Sequence, residues 1–351
     1  MNSIILLLSI AAFASSASMR VTDALLPRIG SEFDVGLAAA SAAITSFSVA
    51  YGAMQLLFGP LGDRFGKLHV VAAAAGGAAL ASFACFTVRG FEALLIARAA
   101  AGGFCACMIP LSMAWIGDVV PYEERQPVLA RFLIGQIMGV AGGAALGGFA
   151  AESAQWRWPF ALLAAWLALG CVALAFAARH EPAPRSASSR FFRDLAGVFS
   201  GYWARVVLAT VFAEGMVVFG ALAFVPTHLH YVRGMELSKA GSMLVAFGLG
   251  GVGFALAVRH AVRRLGETGL AVGGTFLLAG GLALLALVPW PAFAPVGCLA
   301  AGFGFYMLHN TLQTNATQMA PQVRGTAVSL FASAFFLGQS LGVVLAAAAL
   351  A

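Results

Sequence analysis

The sequence predicts an all-α integral membrane protein made of two pseudo-symmetric helical halves. Of its 351 residues, 61% are hydrophobic and only 10% are charged, whereas a soluble domain carries about 25% charged residues. Only helices or closed barrels can cross a bilayer. Long apolar runs such as residues 70–88 lack the alternation of a barrel strand, so helices are the predicted spanning elements.

Eleven stretches of the chain are long and apolar enough to cross a membrane as helices, which takes about 20 residues each. Six lie in an N-terminal half, residues 1–179, and five in a C-terminal half, residues 204–351. Between them, residues 180–203 are rich in Pro, Ser and Arg and are predicted to be a cytoplasmic linker. The predicted helices lie at about residues 3–26, 37–58, 68–88, 92–116, 126–151, 157–179, 204–226, 238–258, 268–289, 293–314 and 324–350.

The two halves repeat each other in sequence. A shift of 200 residues places Gly102 on Gly302, and a shift of 203 residues places residues 135–139 (Gly-Gln-Ile-Met-Gly) on residues 338–342 (Gly-Gln-Ser-Leu-Gly). Two similar halves in one membrane chain are typical of a secondary transporter, in which the substrate site lies between them. The sixth helix also predicts a twelfth beyond the last residue. Either the sequence is truncated or eleven helices suffice.

Lysine and arginine are distributed unevenly between the loops. With the N-terminus placed in the cytoplasm, thirteen of the 20 basic residues lie in inner loops and six in outer loops, while Arg98 lies inside a helix. Because cytoplasmic loops carry an excess of basic residues, we expect a multi-pass protein of the inner (plasma) membrane with a cytoplasmic N-terminus. The apolar N-terminal stretch is interpreted as the first helix, since no Lys or Arg precedes it as in a signal peptide.

Composition also argues against several classes of partner and site. The net charge is +6, but the basic residues form no stripe or arm, so we expect no nucleic-acid partner. All five cysteines lie in apolar runs and are expected to be reduced and to bind no metal. The sequence has no nucleotide-binding loop and no cluster of catalytic side chains, so we expect no cofactor and no enzymatic activity. We expect a monomer in the lipid bilayer.

A motif of particular order lies between the second and third predicted helices. It is predicted to form a tight cytoplasmic loop and reads Gly59-Pro60-Leu61-Gly62-Asp63-Arg64-Phe65-Gly66-Lys67. It resembles the signature of the major facilitator superfamily in that loop, Gly-x-Leu-x-Asp-Arg-x-Gly-Arg, with Lys67 in the ninth position. Residues 98–102 and 156–160 are similar to that family's motifs in helices 4 and 6.

The resemblance implies the major facilitator fold, in which helices 1, 4, 7 and 10 line a central cavity. It also implies a conformational lock, whose charge contacts join the motif Asp, the basic residue four positions later and an acid at the inner end of helix 4. The lock residues implied here are Gly59, Asp63, Arg64, Gly66, Lys67 and Asp118.

The fifth predicted helix carries Gly139, Gly143, Gly147 and Gly148. The first three repeat every four residues and share one helix face, on which another backbone can approach closely. The pattern also resembles the Gly-x-x-x-Gly-Pro-x-x-Gly-Gly motif of proton-driven exporters, with Ala144 in place of the proline. Close helix packing is the structural interpretation of the same glycines.

Seven polar residues on helices 1, 4, 7 and 10 are candidates for proton coupling and cavity lining. Ionisable groups inside a membrane are costly, which makes each of them a functional candidate. The seven are Arg20, Asp23, Arg98, Glu214, His309, Asn310 and Gln313.

Glu214 is the leading candidate, because it lies about ten residues from either end of helix 7. Desolvation disfavours the ionised form, so an unpaired carboxylate there would be neutral much of the time, as a proton carrier requires. The alternative is a neutral Glu hydrogen-bonded to a neighbouring helix. Arg98 is interpreted as a coupling residue or as an anchor for carboxylates. His309 is interpreted as a proton carrier or as a partner in interhelical hydrogen bonds.

The neighbouring residues Arg20 and Asp23 are three positions apart and close enough to pair, either as a plain ion pair or as a substrate contact. Together these features predict a secondary transporter that resembles the drug/metabolite proton antiporter branch. Its expected partners are protons and a small molecule, either a drug-like compound or a metabolite, exported by alternating access. The alternative function is a proton-coupled uptake symporter of the same fold, which the departure at Ala144 leaves open.

Overall fold

The computed structural model describes residues 2–179, 191–320 and 324–350, and within these ranges the chain is helical and has no strand. The all-α prediction is therefore confirmed. The α-helices are Asn2–Arg20, Leu26–Phe33, Leu37–Ala40, Ala42–Phe65, Lys67–Thr87, Phe91–Cys105, Met108–Val119, Tyr122–Ala151, Trp158–Ala178, Phe191–Ser200, Tyr202–Leu222, Val225–Tyr231, Leu237–Ser242, Leu244–Leu287, Ala294–Ala316 and Arg324–Leu350.

Ten segments of the described chain are long and apolar enough to cross a membrane. One of them, Leu237–Leu287, has 51 residues, while a single crossing takes about 20. It is interrupted at Gly266 (φ 64°, ψ −179°), so its two parts are counted as spans 8 and 9. The resulting eleven spans agree with the prediction. The others are span 1 Ser3–Phe33, span 2 Leu37–Phe65, span 3 Lys67–Thr87, span 4 Phe91–Val119, span 5 Arg131–Ala151, span 6 Trp158–Ala178, span 7 Tyr202–Tyr231, span 10 Pro291–Ala316 and span 11 Thr326–Ala349.

Residues 59–67 do not form the predicted loop. Helix Ala42–Phe65 runs through most of them, the chain turns at Gly66 (φ 90°, ψ 131°), and the next helix begins at Lys67. Gly62 lies within this helix and makes room for Leu111, whose side chain a Cβ at this position would meet at 2.6 Å. The membrane side on which Gly66 lies is named the motif side, and the opposite one the far side.

Backbone packing repeats between the halves at the 200-residue shift. Gly102 of span 4 lies against the carbonyl oxygen of Phe47 in span 2, and Gly302 of span 10 lies against that of Phe247 in span 8. A Cβ on either glycine would collide with that oxygen. Helix crossings in the two halves are therefore built on the same close backbone approach.

The two halves meet along spans 2 and 11 and along spans 5 and 8. On the far side, Gly148 of span 5 lies against the backbone of Leu237 and Gly241. The backbone N–H of Ser238 donates a hydrogen bond to the carboxylate of Glu152 over 2.8 Å. These contacts bring the far-side ends of spans 5 and 8 together.

The second part of the predicted linker is helical. Helix Phe191–Ser200 buries Val198, which packs into the core of the C-terminal half. Span 7 then begins at Tyr202. Residues 180–190 of the predicted linker lie outside the described residues.

Candidate proton-coupling site

Glu214 of span 7 is paired with His309 of span 10. The carboxylate Oε2 lies 2.8 Å from the imidazole Nδ1, and the side chains are 1% and 19% exposed. Glu214 is therefore not the unpaired carboxylate considered above but a group that shares a hydrogen bond with a titratable ring. Its other oxygen, Oε1, is buried and has no hydrogen-bond partner among the described residues.

Aromatic rings enclose the His309 side of this pair. The ring of Phe305 stacks on the imidazole at a centroid distance of 5.0 Å, and those of Phe335 and Phe331 lie at 4.9 and 5.4 Å. Such apolar surroundings lower the local dielectric, which strengthens the Glu214–His309 hydrogen bond and penalises a charge on either group alone. Spans 7, 10 and 11 thus enclose a carboxylate and an imidazole that share one hydrogen bond.

Arg20 and Asp23 form the expected ion pair, with Nη1 and Oδ2 separated by 3.1 Å and side chains 3% and 0% exposed. Arg20 also donates from Nη2 to Oε1 of Gln339 over 3.3 Å, and its guanidinium lies 4.1 Å from the centroid of the Phe219 ring. The amide of Gln339 donates to Ser48 Oγ over 2.7 Å. This Arg20–Gln339–Ser48 chain, named the polar bridge, joins spans 1 and 2 to span 11.

Arg98 of span 4 is held by backbone carbonyls and not by the carboxylates that the sequence suggested. It donates from Nε to Ala43 (3.1 Å) and from Nη1 to Ser18 (2.8 Å), and it lies 4.3 Å from the centroid of the Phe47 ring. It is 1% exposed, and its Nη2 has no hydrogen-bond partner among the described residues. Arg98 therefore fixes spans 1, 2 and 4 to one another, because its planar fork matches two carbonyls at once.

Asn310 and Gln313 lie on span 10 but not in the Glu214–His309 pair. Asn310 is half-buried, Gln313 is exposed, and the described contacts include no side-chain hydrogen bond for either. Of the three polar candidates predicted on this helix, the structure therefore pairs only His309 with Glu214 and leaves Asn310 and Gln313 outside the pair.

The charged groups of the predicted lock lie together on the motif side. Lys67 Nζ contacts Asp118 Oδ2 at 2.6 Å and Asp63 Oδ1 at 3.3 Å. Arg64 points elsewhere and lies over the Phe65 ring at 5.2 Å. One lysine thus connects span 2, the Gly66 turn and span 4. Of the glycines in the motif, Gly66 supplies the positive φ, and Gly59 faces Ser329 of span 11, with Oγ 3.9 Å from where a Cβ would lie.

The glycines of span 5 line its contact with span 1. A Cβ on Gly139, Gly143 or Gly147 would collide with successive backbone carbonyls of span 1, those of Phe13, Ala17 and Val21. Gly148 faces span 8 instead. The three glycines therefore let span 1, which carries Arg20 and Asp23, pack against span 5 at backbone contact. Gly148, the residue after Gly147, contacts span 8 of the C-terminal half.

A family model described as Major Facilitator Superfamily matches residues 8–343. The chain belongs to the Major Facilitator Superfamily. Proteins of this family are transporters rather than enzymes, and they bind small-molecule substrates. Among the residues that the structure describes, no group of three or more His, Cys, Asp or Glu side chains could hold a metal ion.

Relatives of this facilitator include export proteins, and its fold is shared with a symporter. It is 25% identical to the "Uncharacterized MFS-type transporter YceJ" of Bacillus subtilis over 326 residues, which cover 92% of this chain and 83% of that protein. It is 27% identical to the "Multidrug export protein EmrB" of Haemophilus influenzae over 155 residues, 44% of this chain and 30% of that one. A crystal structure of a D-xylose-proton symporter has a TM-score of 0.75 at 15% identity, with coverage of 98% and 89%. That likeness shows the fold alone.

Sequence reasoning missed two parts of this facilitator's site. The polar bridge depends on Gln339, which is buried in the structure. In the sequence it could have been found as an amide within an apolar run that aligns with Gln136 at the 203-residue shift. The aromatic enclosure around His309 could not be found from the helices separately, because its rings come from spans 10 and 11. Only their packing brings them to one imidazole.

Proposed function

We propose that this facilitator is a proton-coupled exporter of a small molecule and that Glu214 and His309 carry the coupling proton. The observation that supports the proposal is the 2.8 Å hydrogen bond between a fully buried carboxylate and a ring nitrogen inside the membrane. A proton-driven carrier needs a group whose protonation differs between its facing states. The pair supports such a role, because carboxyl and imidazole groups can each exchange a proton and the carboxylate is buried.

Protonation would change how spans 7 and 10 hold together. With one proton between them, the two groups share a hydrogen bond across the helices. A second proton would neutralise the carboxylate and leave a charged imidazole, while loss of the first would leave a buried anion. Each of these changes weakens the contact, so entry or exit of a proton favours a rearrangement of span 7 against span 10.

Export is proposed as the direction on two grounds. The span 5 glycines are arranged as in the exporter motif that this sequence resembles and pack directly on span 1, and a relative is named a multidrug export protein. The candidate substrates are drug-like compounds or metabolites. Uptake with protons is the second candidate, because Ala144 stands where the motif has proline and the fold is shared with a proton symporter.

The remaining parts of the proposal concern location and switching. The family and the basic-residue bias support an inner-membrane protein with a cytoplasmic N-terminus, which puts the motif side in the cytoplasm. The Asp63–Lys67–Asp118 cluster is proposed as the lock that holds spans 2 and 4 together in one facing state. The far-side contacts of span 5 with span 8 then belong to the same state.

The proposal is tested by Glu214→Gln, which keeps size and hydrogen bonding but removes titration. A growth screen of an expressing strain against toxic compounds and metabolites supplies a substrate. In proteoliposomes with an imposed pH gradient, we expect the variant to lose accumulation against a gradient, by about 100-fold or more, while it keeps downhill exchange of substrate. Glu236→Gln is the matched control, since Glu236 is an exposed acid paired with Lys239, and it should accumulate substrate normally. Undiminished accumulation by Glu214→Gln would show that Glu214 is structural.

A further inference from the structure

A groove of about 480 Å³ lies on the lipid-facing surface of the N-terminal half, between spans 1, 5 and 6, away from the Glu214–His309 pair. This volume is within the range of small-molecule sites, about 300–1,000 Å³. Its walls include large apolar side chains that are exposed in the folded chain: Leu6 (62%), Ile134 (56%) and Trp166 (38%). The groove therefore presents a hydrocarbon surface to the bilayer.

Apart from the indole N–H of Trp166, the floor of the groove has no free hydrogen-bonding side chain among the described residues. Ser9 is the only hydroxyl in the lining, and its Oγ already donates to the backbone carbonyl of Ile5 over 2.8 Å. Gly135 sits against the carbonyl of Ser9, so spans 1 and 5 are in backbone contact beneath the groove. The rings of Phe13 and Trp166 stack at 5.1 Å and form its deep end. An occupant must therefore be apolar along this length.

The motif-side rim of the groove is different because it carries a cation. Arg131 lines the groove and is exposed. It lies one helical turn on the motif side of Gly135, which contacts Ser9, so it is level with Ile5 near the start of span 1. It makes no ion pair with any carboxylate in the part of the chain that the structure describes. From Ile5 to Phe13 the groove extends over nine helical residues, a rise of about 12 Å, which is close to the thickness of one leaflet, about 15 Å.

We propose that the groove binds an anionic phospholipid of the motif-side leaflet, with its phosphate on Arg131 and one acyl chain along spans 1, 5 and 6. The position of the cation at the interface and of the apolar floor below it matches the order of groups in a phospholipid. Basic residues at the mouth of interhelical pockets favour anionic headgroups. The 203-residue shift places Ala334 where Arg131 stands, so the C-terminal half has no equivalent cation, and one such site is expected.

Fluorescence quenching tests this assignment, because Trp166 forms the deep end of the groove. The protein is reconstituted in phosphatidylcholine with increasing fractions of acyl-brominated phosphatidylglycerol or acyl-brominated phosphatidylcholine. The signal of Trp166 is taken as the difference between wild type and Trp166→Phe. One basic contact is worth about 1 kcal/mol, so half-quenching should need about fivefold less phosphatidylglycerol than phosphatidylcholine.

Arg131→Gln should abolish this fivefold preference while quenching by brominated phosphatidylcholine persists. The control is Arg205→Gln, an exposed arginine near the motif-side end of span 7 that does not line the groove, and it should keep the preference. Equal quenching by the two lipids in wild type, or an undiminished preference in Arg131→Gln, would overturn the proposal.

Native mass spectrometry of protein prepared without brominated lipid supplies a second readout, which does not depend on the Trp166→Phe variant. Released from micelles that contain phosphatidylglycerol, wild type and Arg205→Gln should retain one more lipid than Arg131→Gln. Equal lipid counts for all three proteins would contradict the assignment. Neither experiment requires a transport substrate, so the outcome is independent of the proposed function.

Discussion

The two halves of the molecule share their backbone packing but not their charges. Gly102 and Gly302 make the same contact at a 200-residue shift, yet the buried charges do not follow it. In the N-terminal half Arg98 is fixed to backbone carbonyls and keeps its proton. In the C-terminal half Glu214 shares a hydrogen bond with His309, and both can exchange protons. The repeat thus determines where helices cross, while the proton exchange proposed above lies in one half.

The largest expected effect is a loss of transport on mutation near the Gly66 turn, with no loss at the equivalent turn around Gly266 in the C-terminal half. At the 200-residue shift Asp63 becomes Arg263, and Lys67 becomes Glu267. We expect Asp63→Asn to abolish transport while the protein remains in the membrane, because Lys67 then keeps its contact with Asp118 of span 4 but loses the acid that ties it to span 2. Arg263→Gln should transport at the wild-type level. Substrate flux in vesicles, normalised to the amount of membrane-inserted protein, measures transport by both variants. Normal flux by Asp63→Asn would show that the Asp63–Lys67 contact is not part of a conformational lock.

The repeated packing predicts a second, paired effect on stability. Gly102→Ala and Gly302→Ala each force a Cβ onto a backbone carbonyl, which should cost about 3 kcal/mol each, at the upper end for overpacking. Gly280→Ala is the control, since no atom lies within 4 Å of its Cβ position. Unfolding in detergent measures the three free energies. A large cost at one of the paired positions and none at the other would show that the halves are not packed alike.

The smallest effect concerns the polar bridge between the halves. Gln339→Leu leaves Arg20 and Ser48 without their shared partner. It should destabilise the facing state seen in the structure, in which the bridge joins the two halves, by about 1 kcal/mol. The population of that state should therefore fall by roughly fivefold relative to other facing states. The twin Gln136→Leu should have no effect, because Gln136 makes no side-chain hydrogen bond among the described residues. Spin labels at the exposed far-side positions Ser31 and Tyr231 report the distance between the halves. An unchanged distance distribution in Gln339→Leu would mean that the bridge does not hold them.

Local pattern was enough to predict most of the fold. The length of the apolar stretches predicted the spans. The sequence repeat aligned Gly102 with Gly302, and the structure shows that the two make equivalent contacts. Residues 59–67 were predicted as loop because glycines permit a tight turn and charges favour the inner surface. Residues 59–65 are helical instead, because the turn needs only Gly66, whose φ of 90° ends the helix.

The candidate site was predictable as a set of residues but not as a set of contacts. Glu214 and His309 stood out because ionisable groups are rare in membrane-spanning helices. They are 95 residues apart, however, and the periodicity of a single helix does not predict which residue of another helix a side chain contacts. For the same reason Gln313 looked equivalent to His309, although it is exposed. The lock was the exception, since the motif placed Asp63 and Lys67 at adjacent turns of one short segment.

Infrared difference spectroscopy between two pH values tests most directly whether proton exchange belongs to the C-terminal half. It needs no substrate and detects the carbonyl stretch of a protonated carboxyl group as it appears and disappears. The account predicts such a band in wild type and in Asp23→Asn, its loss in Glu214→Gln, and a shifted band in His309→Gln, where the carboxyl has lost its partner. A band that persists in Glu214→Gln and vanishes in Asp23→Asn would contradict the account and assign the proton to the Arg20–Asp23 pair.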